Sequence, residues 1–190
     1  AGDRLHELRT IVRILEKLYG GPFLNKNNSH SVRVSPLSDL FPGALFVHVD
    51  RDLPATVDSI LRGRRQSRIP ESEWWGAPPP QVWDRQFETE TERIVAQVWG
   101  LRETVRRDFA ALPESRRRVV RYEDFCQAPG AVEAWVQDTY ANLGVDLKRT
   151  DTALPSRFDV RQSDRAAEPE FRRSVESTAH RFAQEEPRRG

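Results

Sequence analysis

Apolar and polar residues alternate along the first third of the chain at spacings that predict helices and strands in turn. Apolar positions from residue 5 to 19 recur at near-helical spacing, and Gly20-Gly21 ends the pattern. The predicted elements here are a helix over 5–19, a strand end at 22–25, a helix opening at Ser35-Pro36, a buried strand over 44–49 and a helix over about 53–62. This order is typical of parallel strands with helices on their faces.

The rest of the chain continues the same rhythm around one long irregular segment. The predicted elements are a proline- and tryptophan-rich loop over 68–83, a helix over about 85–111, a strand over 118–122, a helix over 132–143, an irregular stretch over 148–169, and a last helix carrying Phe171, Val175 and Phe182. The pattern predicts one α/β domain over residues 1–190, a three-layer parallel sheet flanked by helices.

Composition argues against several classes of protein. The 29 acidic and 30 basic residues leave a net charge of +1, which argues against a bulk nucleic-acid binder. The single cysteine, Cys126, excludes an internal disulfide and a cysteine-rich zinc site, and we expect no metal. With no apolar run near the roughly 20 residues of a membrane span, we expect a cytoplasmic protein without membrane contacts. Only three basic residues are lysine, which favours a bacterial source.

A charged cluster, Asp50-Arg51-Asp52, stands where the buried strand meets the next helix. Ligands of such sheets collect beyond the carboxyl ends of the strands, and the helix start offers free N–H groups. Arg51 adds a planar cation suited to phosphate, and Ser59, two turns into the helix, has a hydroxyl to contribute. The alternative is that Arg51 pairs with Asp50 or Asp52 and that Ser59 is solvated. Spacing alone favours neither.

Two further strand ends carry polar residues. After the predicted strand end at Phe23-Leu24 comes Asn25-Lys26-Asn27-Asn28-Ser29-His30, and after Val119-Val120 comes Arg121-Tyr122-Glu123-Asp124-Phe125. We expect these ends to meet at one edge of the sheet, where they offer cations, hydroxyls and rings to a ligand.

In this order, the three segments resemble the PAPS-dependent sulfotransferases, particularly a bacterial branch with an LKNPxH-like element. The matching pieces are FLNKNNSH (23–30), FVHVDRDLPATVDSIL (46–61) and RYEDF (121–125) followed by Pro129. The resemblance covers about residues 1–147 and implies a P-loop-NTPase-like sulfotransferase fold. It implies sulfuryl transfer from PAPS to a hydroxyl or amine of a small-molecule or carrier-bound acceptor, leaving PAP.

The resemblance also implies roles for five residues. Arg51 and Ser59 would bind the 3′-phosphate of PAPS, Tyr122 would touch the adenine, and Lys26 would lie beside the transferring sulfuryl group. His30 matches the histidine of the LKNPxH-like element and would be the base, the alternative being a structural polar role.

One family feature is missing. No glycine-rich loop suited to the 5′-phosphosulfate occurs in the sequence, so we expect the chain to be the C-terminal portion of a sulfotransferase, without the upstream strand and loop. Two alternatives stay open: a non-catalytic PAP-binding or interaction module, and a small-molecule phosphotransferase on a similar sheet.

Several other features have a structural as well as a functional interpretation. Trp74, Trp75 and Trp83 flank a loop that either closes over an acceptor or is anchored by its aromatic residues. The arginines at 62, 64, 65 and 68 predict a solvated basic face. Arg157 and Arg161 match no family pattern and are left outside the predicted site, and His48 is expected to be a core histidine.

Overall fold

The computed structural model describes residues 2–147 and 153–185 as eight α-helices, two β-strands and two short 3-10 helices. The helices are α1 (Gly2–Tyr19), α2 (Val34–Leu40), α3 (Leu53–Gln66), α4 (Glu90–Ala110), α5 (Tyr122–Gln127), α6 (Gly130–Asn142), α7 (Asp164–Ala167) and α8 (Pro169–Glu185). The strands are β1 (Phe46–Asp50) and β2 (Arg117–Arg121), and the 3-10 helices are Asn28–Val32 and Glu114–Arg116. The α/β class is therefore confirmed.

The sheet is smaller than the sequence predicts. Strands β1 and β2 pair in parallel from Phe46↔Arg117 to Asp50↔Arg121, and they make up the whole sheet of the described residues. The strand end predicted at 22–25 is wrong: these residues are coil, and Leu24 is 91% exposed. No strand within the described ranges pairs with them, and the N–H of Phe23 donates instead to the carboxylate of Glu16.

Two helices begin at residues other than those that the apolar pattern predicts. Helix α2 begins at Val34 rather than at Ser35-Pro36, and the N–H of Ser35 donates to the carboxylate of Asp108, 73 residues away. Helix α4 begins at Glu90 rather than near residue 85 because Thr89 accepts the N–H of Glu92, as an N-cap residue does.

The main core lies between α3, α4 and α8. Its fully or nearly buried apolar residues include Val57, Leu61, Ile94, Val95, Val175 and Phe182. The predicted last helix is confirmed, since Phe171, Val175 and Phe182 are all buried on its inner face. A smaller cluster beneath the sheet contains Val34, Val105, Phe109 and Leu112.

Around the sheet, by contrast, apolar side chains remain exposed. Helix α1 buries Val12 but leaves Ile11, Ile14 and Leu18 more than half exposed. In the sheet itself, Val49 is 52% and Val119 is 61% exposed. Parallel sheets are ordinarily covered on both faces, so this part of the molecule has apolar surface that its own described residues do not cover.

No helix within residues 2–147 and 153–185 combines the length and apolarity needed to cross a membrane. The same residues contain no group of three or more histidine, cysteine, aspartate or glutamate side chains placed to hold a metal ion.

Candidate functional site

Arg51 lies directly beyond the carboxyl end of β1, beside Tyr122 at the end of β2. The parallel register pairs Asp50 with Arg121, so the next residues along the two strands are neighbours. The guanidinium of Arg51 stacks over the ring of Tyr122, 4.8 Å from its centroid. A cation over an aromatic face is an attractive arrangement. The structure thus brings together two residues that the family resemblance assigned to one ligand.

The acids on either side of Arg51 are engaged elsewhere. The carboxylate of Asp50 pairs with Arg102 of α4 at 2.7 Å. That of Asp52 accepts the N–H of Ala55 at 3.1 Å as the N-cap of α3 and pairs with Arg172 of α8 at 3.1 Å. The alternative that Arg51 pairs with Asp50 or Asp52 is therefore wrong.

The pKa of Asp52 reflects its pairing with Arg172. Burial acts to raise it, but the hydrogen bonds from Arg172 and from the N–H of Ala55, together with the charges of Arg172 and Arg102, outweigh burial and hold the pKa below its usual value. The hydrogen bond to Asp52 raises the pKa of Arg172 in turn. The pair keeps Asp52 ionised at the start of α3.

A cleft of about 240 Å³ opens at this corner. It is lined by Asp50, Arg51, Asp52, Leu53, Arg102 and Arg121. With both aspartates paired to arginines, the Nε of Arg51 is buried without a hydrogen-bond partner among the described residues. A buried donor of this kind favours an incoming acceptor. The start of α3 adds a positive dipole end, so the cleft is suited to an anion.

The sequence interpretation gave no individual role to two of the cleft's arginines. Arg121 immediately precedes Tyr122 and was available as a signal within RYEDF. Arg102 lies in the middle of a long helix, where nothing local distinguishes it. It donates to the backbone carbonyl of Arg51 as well as to Asp50, and it thereby fixes the backbone that carries Arg51.

A third contribution comes from residues 153–163, an irregular segment that we call the strap. The backbone carbonyl of Arg161 accepts a hydrogen bond from Nη2 of Arg51 at 2.5 Å. Its N–H donates to the hydroxyl of Tyr122 at 3.4 Å. One peptide segment therefore touches both Arg51 and Tyr122. Arg161, which the sequence interpretation left outside the site, contacts it through its backbone.

Ser59 lies on α3, half-buried, two turns beyond Arg51. It is not one of the residues lining the cleft around Arg51. Its pairing with Arg51 as a phosphate clamp stays a prediction.

Lys26 and His30 occupy a coil and the 3-10 helix after it, and not the end of a strand. Lys26 is exposed. The Nε2 of His30 lies 3.1 Å from Oδ1 of Asn25, while Nδ1 is buried without a hydrogen-bond partner among the described residues. The prediction that this segment meets the other strand ends rested on a strand that does not form. The catalytic roles of Lys26 and His30 stay predictions.

His48 and Cys126 both pack against aromatic or apolar neighbours, to different depths. The ring of His48 lies edge-on to Phe109, with 6.2 Å between centroids. Burial lowers the pKa of His48, while Asp50 acts to raise it and Arg102 lowers it further. Cys126 is buried at 2% exposure. Cys126 is therefore buried in the core, whereas His48 is half-buried, so the expectation of a core histidine is met only in part.

The basic face predicted on α3 is wrong at its central residue. Arg64 is 1% exposed; it pairs with Glu90 at 2.7 Å and donates to the carbonyls of Pro70 and Glu73. These bonds hold the loop over residues 67–89 against the helices. Trp74 packs edge-on against Phe87 in the same loop. The anchoring interpretation therefore holds for Trp74, while Trp83 remains 62% exposed.

Comparison with known proteins places the chain in a family. Residues 6–149 match the model of the sulfotransferase family. The matched stretch contains β1, β2 and the arginine cleft between their ends. No curated protein and no solved structure matches the chain. Because the match spans well over half of its residues, the chain belongs to the sulfotransferase family.

Proposed function

We propose that the chain uses PAPS as its donor and transfers the sulfuryl group to a hydroxyl or amine of a small-molecule or carrier-bound acceptor. The observation that carries the proposal is Arg51, stacked on Tyr122 in the cleft, with a buried Nε that has no partner among the described residues. A cation beside an aromatic ring suits a ligand that combines a phosphate with an adenine, and PAPS does so.

In this proposal, Arg51 and Ser59 hold the 3′-phosphate and Tyr122 contacts the adenine. Arg121, which lines the same cleft, adds positive charge, while Arg102 neutralises Asp50. The fork of Arg51 offers Nη and Nε donors to phosphate oxygens, and a charge-assisted bond of this kind is worth about 1.5–3 kcal/mol.

The reaction is an in-line displacement at sulfur. The acceptor oxygen or nitrogen forms a bond to sulfur as the bond from sulfur to the bridging phosphate oxygen breaks, and PAP leaves with the electron pair. Lys26 neutralises the charge that develops on the leaving oxygen, and His30 takes the acceptor's proton. Positioning and charge stabilisation dominate such transfers; general base catalysis contributes about 10²–10⁴-fold.

The competing proposal is a module that binds PAP without catalysis. It follows from the absence of a glycine-rich loop for the 5′-phosphosulfate in this sequence. Both proposals require PAP to bind, and only the first requires PAPS to be consumed in the presence of an acceptor.

The test is a calorimetric titration with PAP, with ATP as the comparison ligand. We expect PAP to bind more tightly than ATP. Arg51→Ala should weaken the affinity for PAP by roughly tenfold to a hundredfold, because it loses a charge-assisted bond. Arg65→Ala is the matched control because Arg65 is an exposed arginine in the last turn of α3; it should bind PAP like the parent.

Failure of PAP to bind, or an Arg51→Ala variant that matches the parent, would remove both proposals. Stabilisation by ATP greater than that by PAP would instead favour a phosphotransferase. If PAP binds, the chain is incubated with PAPS and a panel of phenols, alcohols and amines, and the release of PAP is measured. Release of PAP with an acceptor supports the enzyme, and its absence supports the non-catalytic module.

A further inference from the structure

The strap is tied to the body of the protein by a buried polar pair that lies outside the proposed ligand site. Asp58, on the inner face of α3, is 3% exposed, and Ser163, at the end of the strap, is 8% exposed. The hydroxyl of Ser163 donates to Oδ2 of Asp58 at 2.7 Å. A buried carboxylate needs such partners, because burying an unpaired charge is costly.

The environment of Asp58 makes this bond important. The same carboxylate oxygen forms an ion pair with Nε of Arg62 at 3.4 Å, and the side chain of Arg62 is about half exposed. The hydroxyl of Ser163 also accepts the N–H of Ala166 at 3.1 Å and caps α7. Ser163 is thus held both as a donor and as an acceptor, which leaves its hydroxyl one orientation.

Ser163 lies two residues from Arg161, whose backbone N–H and carbonyl both contact the candidate site. Since each residue spans at most about 3.6 Å, fixing Ser163 confines Arg161 to a short arc. The carbonyl of Arg161 accepts from Arg51, and its N–H donates to Tyr122. The strap is also attached at Phe158, whose N–H donates to the carbonyl of Cys126 at 2.6 Å and whose ring stacks on Phe125.

We infer that Asp58 and Ser163 are positioning residues for the nucleotide site: by anchoring the strap, they hold the peptide of Arg161 against Arg51 and Tyr122 and so set the orientation of the Arg51 guanidinium. The inference rests on the proposed function for its ligand, PAP. Neither residue contacts the ligand; both act through Arg161 and Arg51.

Four variants separate the anchor from the helix cap. Ser163→Ala removes both the hydrogen bond to Asp58 and the cap of α7. Ser163→Asp keeps a good N-cap residue but places a second carboxylate beside Asp58. Ser163→Thr restores the hydroxyl. Ser156→Ala is the control, an exposed serine elsewhere on the strap. Thermal unfolding confirms that each variant folds.

The first measurement compares affinities for PAP and for 5′-AMP, which lacks the 3′-phosphate assigned to Arg51. We expect Ser163→Ala and Ser163→Asp to weaken the affinity for PAP by about tenfold, which is the scale of one lost bond to a charged group. The affinity for 5′-AMP should stay within about twofold of the parent's. Ser163→Thr and Ser156→Ala should resemble the parent. Parent-like PAP affinity in Ser163→Asp, or equal weakening of both nucleotides, would overturn the inference.

The second measurement is hydrogen exchange at the amide of Arg161 without ligand. It should be faster in Ser163→Ala and Ser163→Asp than in the parent, Ser163→Thr and Ser156→Ala. If the parent fails to bind PAP, the proposed function fails, and exchange still decides the anchor. Unchanged exchange in Ser163→Asp would show that Asp58 does not hold the strap.

Discussion

The helices around α4 and the region around the sheet are built in different ways. We call α3, α4, α8 and the loop over 67–89 the helical half, and α1, β1, β2 and α6 the sheet half. In the helical half, apolar residues and charged groups are buried with partners, down to Arg64 and its ion pair with Glu90. In the sheet half, large apolar residues such as Leu18 and Val119 are more than half exposed.

This difference bears on function because the candidate site lies where the two halves meet. Arg51 and Tyr122 extend from the strands of the sheet half. Their neighbours Arg102 and Arg172 belong to α4 and α8 of the helical half and pair with the acids beside Arg51. The well-packed half therefore supplies fixed positions for a candidate site whose residues Arg51 and Tyr122 follow the strands of a less covered sheet.

The largest expected effect comes from truncating one buried and one exposed apolar residue. Phe182 is 2% exposed and stacks on Trp99, with 5.8 Å between ring centroids. We expect Phe182→Ala to lower the free energy of unfolding by about 3–5 kcal/mol. Leu18→Ala, at a residue 70% exposed on α1, should change it by less than about 0.5 kcal/mol.

Urea unfolding followed by circular dichroism gives both values. A loss of several kcal/mol in Leu18→Ala would contradict the comparison, because it would mean that α1 is covered in solution by contacts that this structure does not contain.

The sequence predicted the helices better than the extent of the sheet for a physical reason. Helix α8 follows from the spacing of Phe171, Val175 and Phe182 alone, since a helix satisfies its own hydrogen bonds. A strand at Phe23-Leu24 depends on a neighbouring strand, which local sequence does not encode, and it does not form.

The site was predictable to the extent that its residues follow strand ends. Arg51 and Tyr122 come directly after β1 and β2, so position along the chain placed them together. Arg161 reaches them only through its backbone, from 110 residues beyond Arg51, and a backbone contact leaves no trace in residue type. The burial of Arg64 was not predicted, because its partners are two backbone carbonyls of an irregular loop and Glu90 beyond that loop.

A smaller effect is expected where the loop over 67–89 packs on α3. A Cβ added at Gly63 would lie 2.1 Å from Cη2 of Trp75, far inside contact distance. Gly63→Ala should lower the free energy of unfolding by about 1–3 kcal/mol, the scale of overpacking, despite alanine's better helix propensity.

Gly130→Ala is the control for Gly63→Ala. Gly130 is the first residue of α6 and has no atom near its added Cβ, so the change should be neutral or stabilising by about 0.4–1 kcal/mol. Chemical unfolding compares the two. If Gly63→Ala were stabilised to the same extent, Trp75 would not be held against α3, and the loop would be less tightly packed than the structure shows.

The smallest expected effect is a pH dependence at His48, where β1 packs against Phe109 of α4. Burial holds the pKa of His48 below its usual value, so the unfolded chain takes up the proton more readily than the folded one. The free energy of unfolding should therefore be highest above the unfolded pKa of about 6.5 and fall as pH drops through it. His48→Asn should flatten this slope between pH 7.5 and 5.5, measured by urea unfolding at each pH, and an unchanged slope would assign it to other groups.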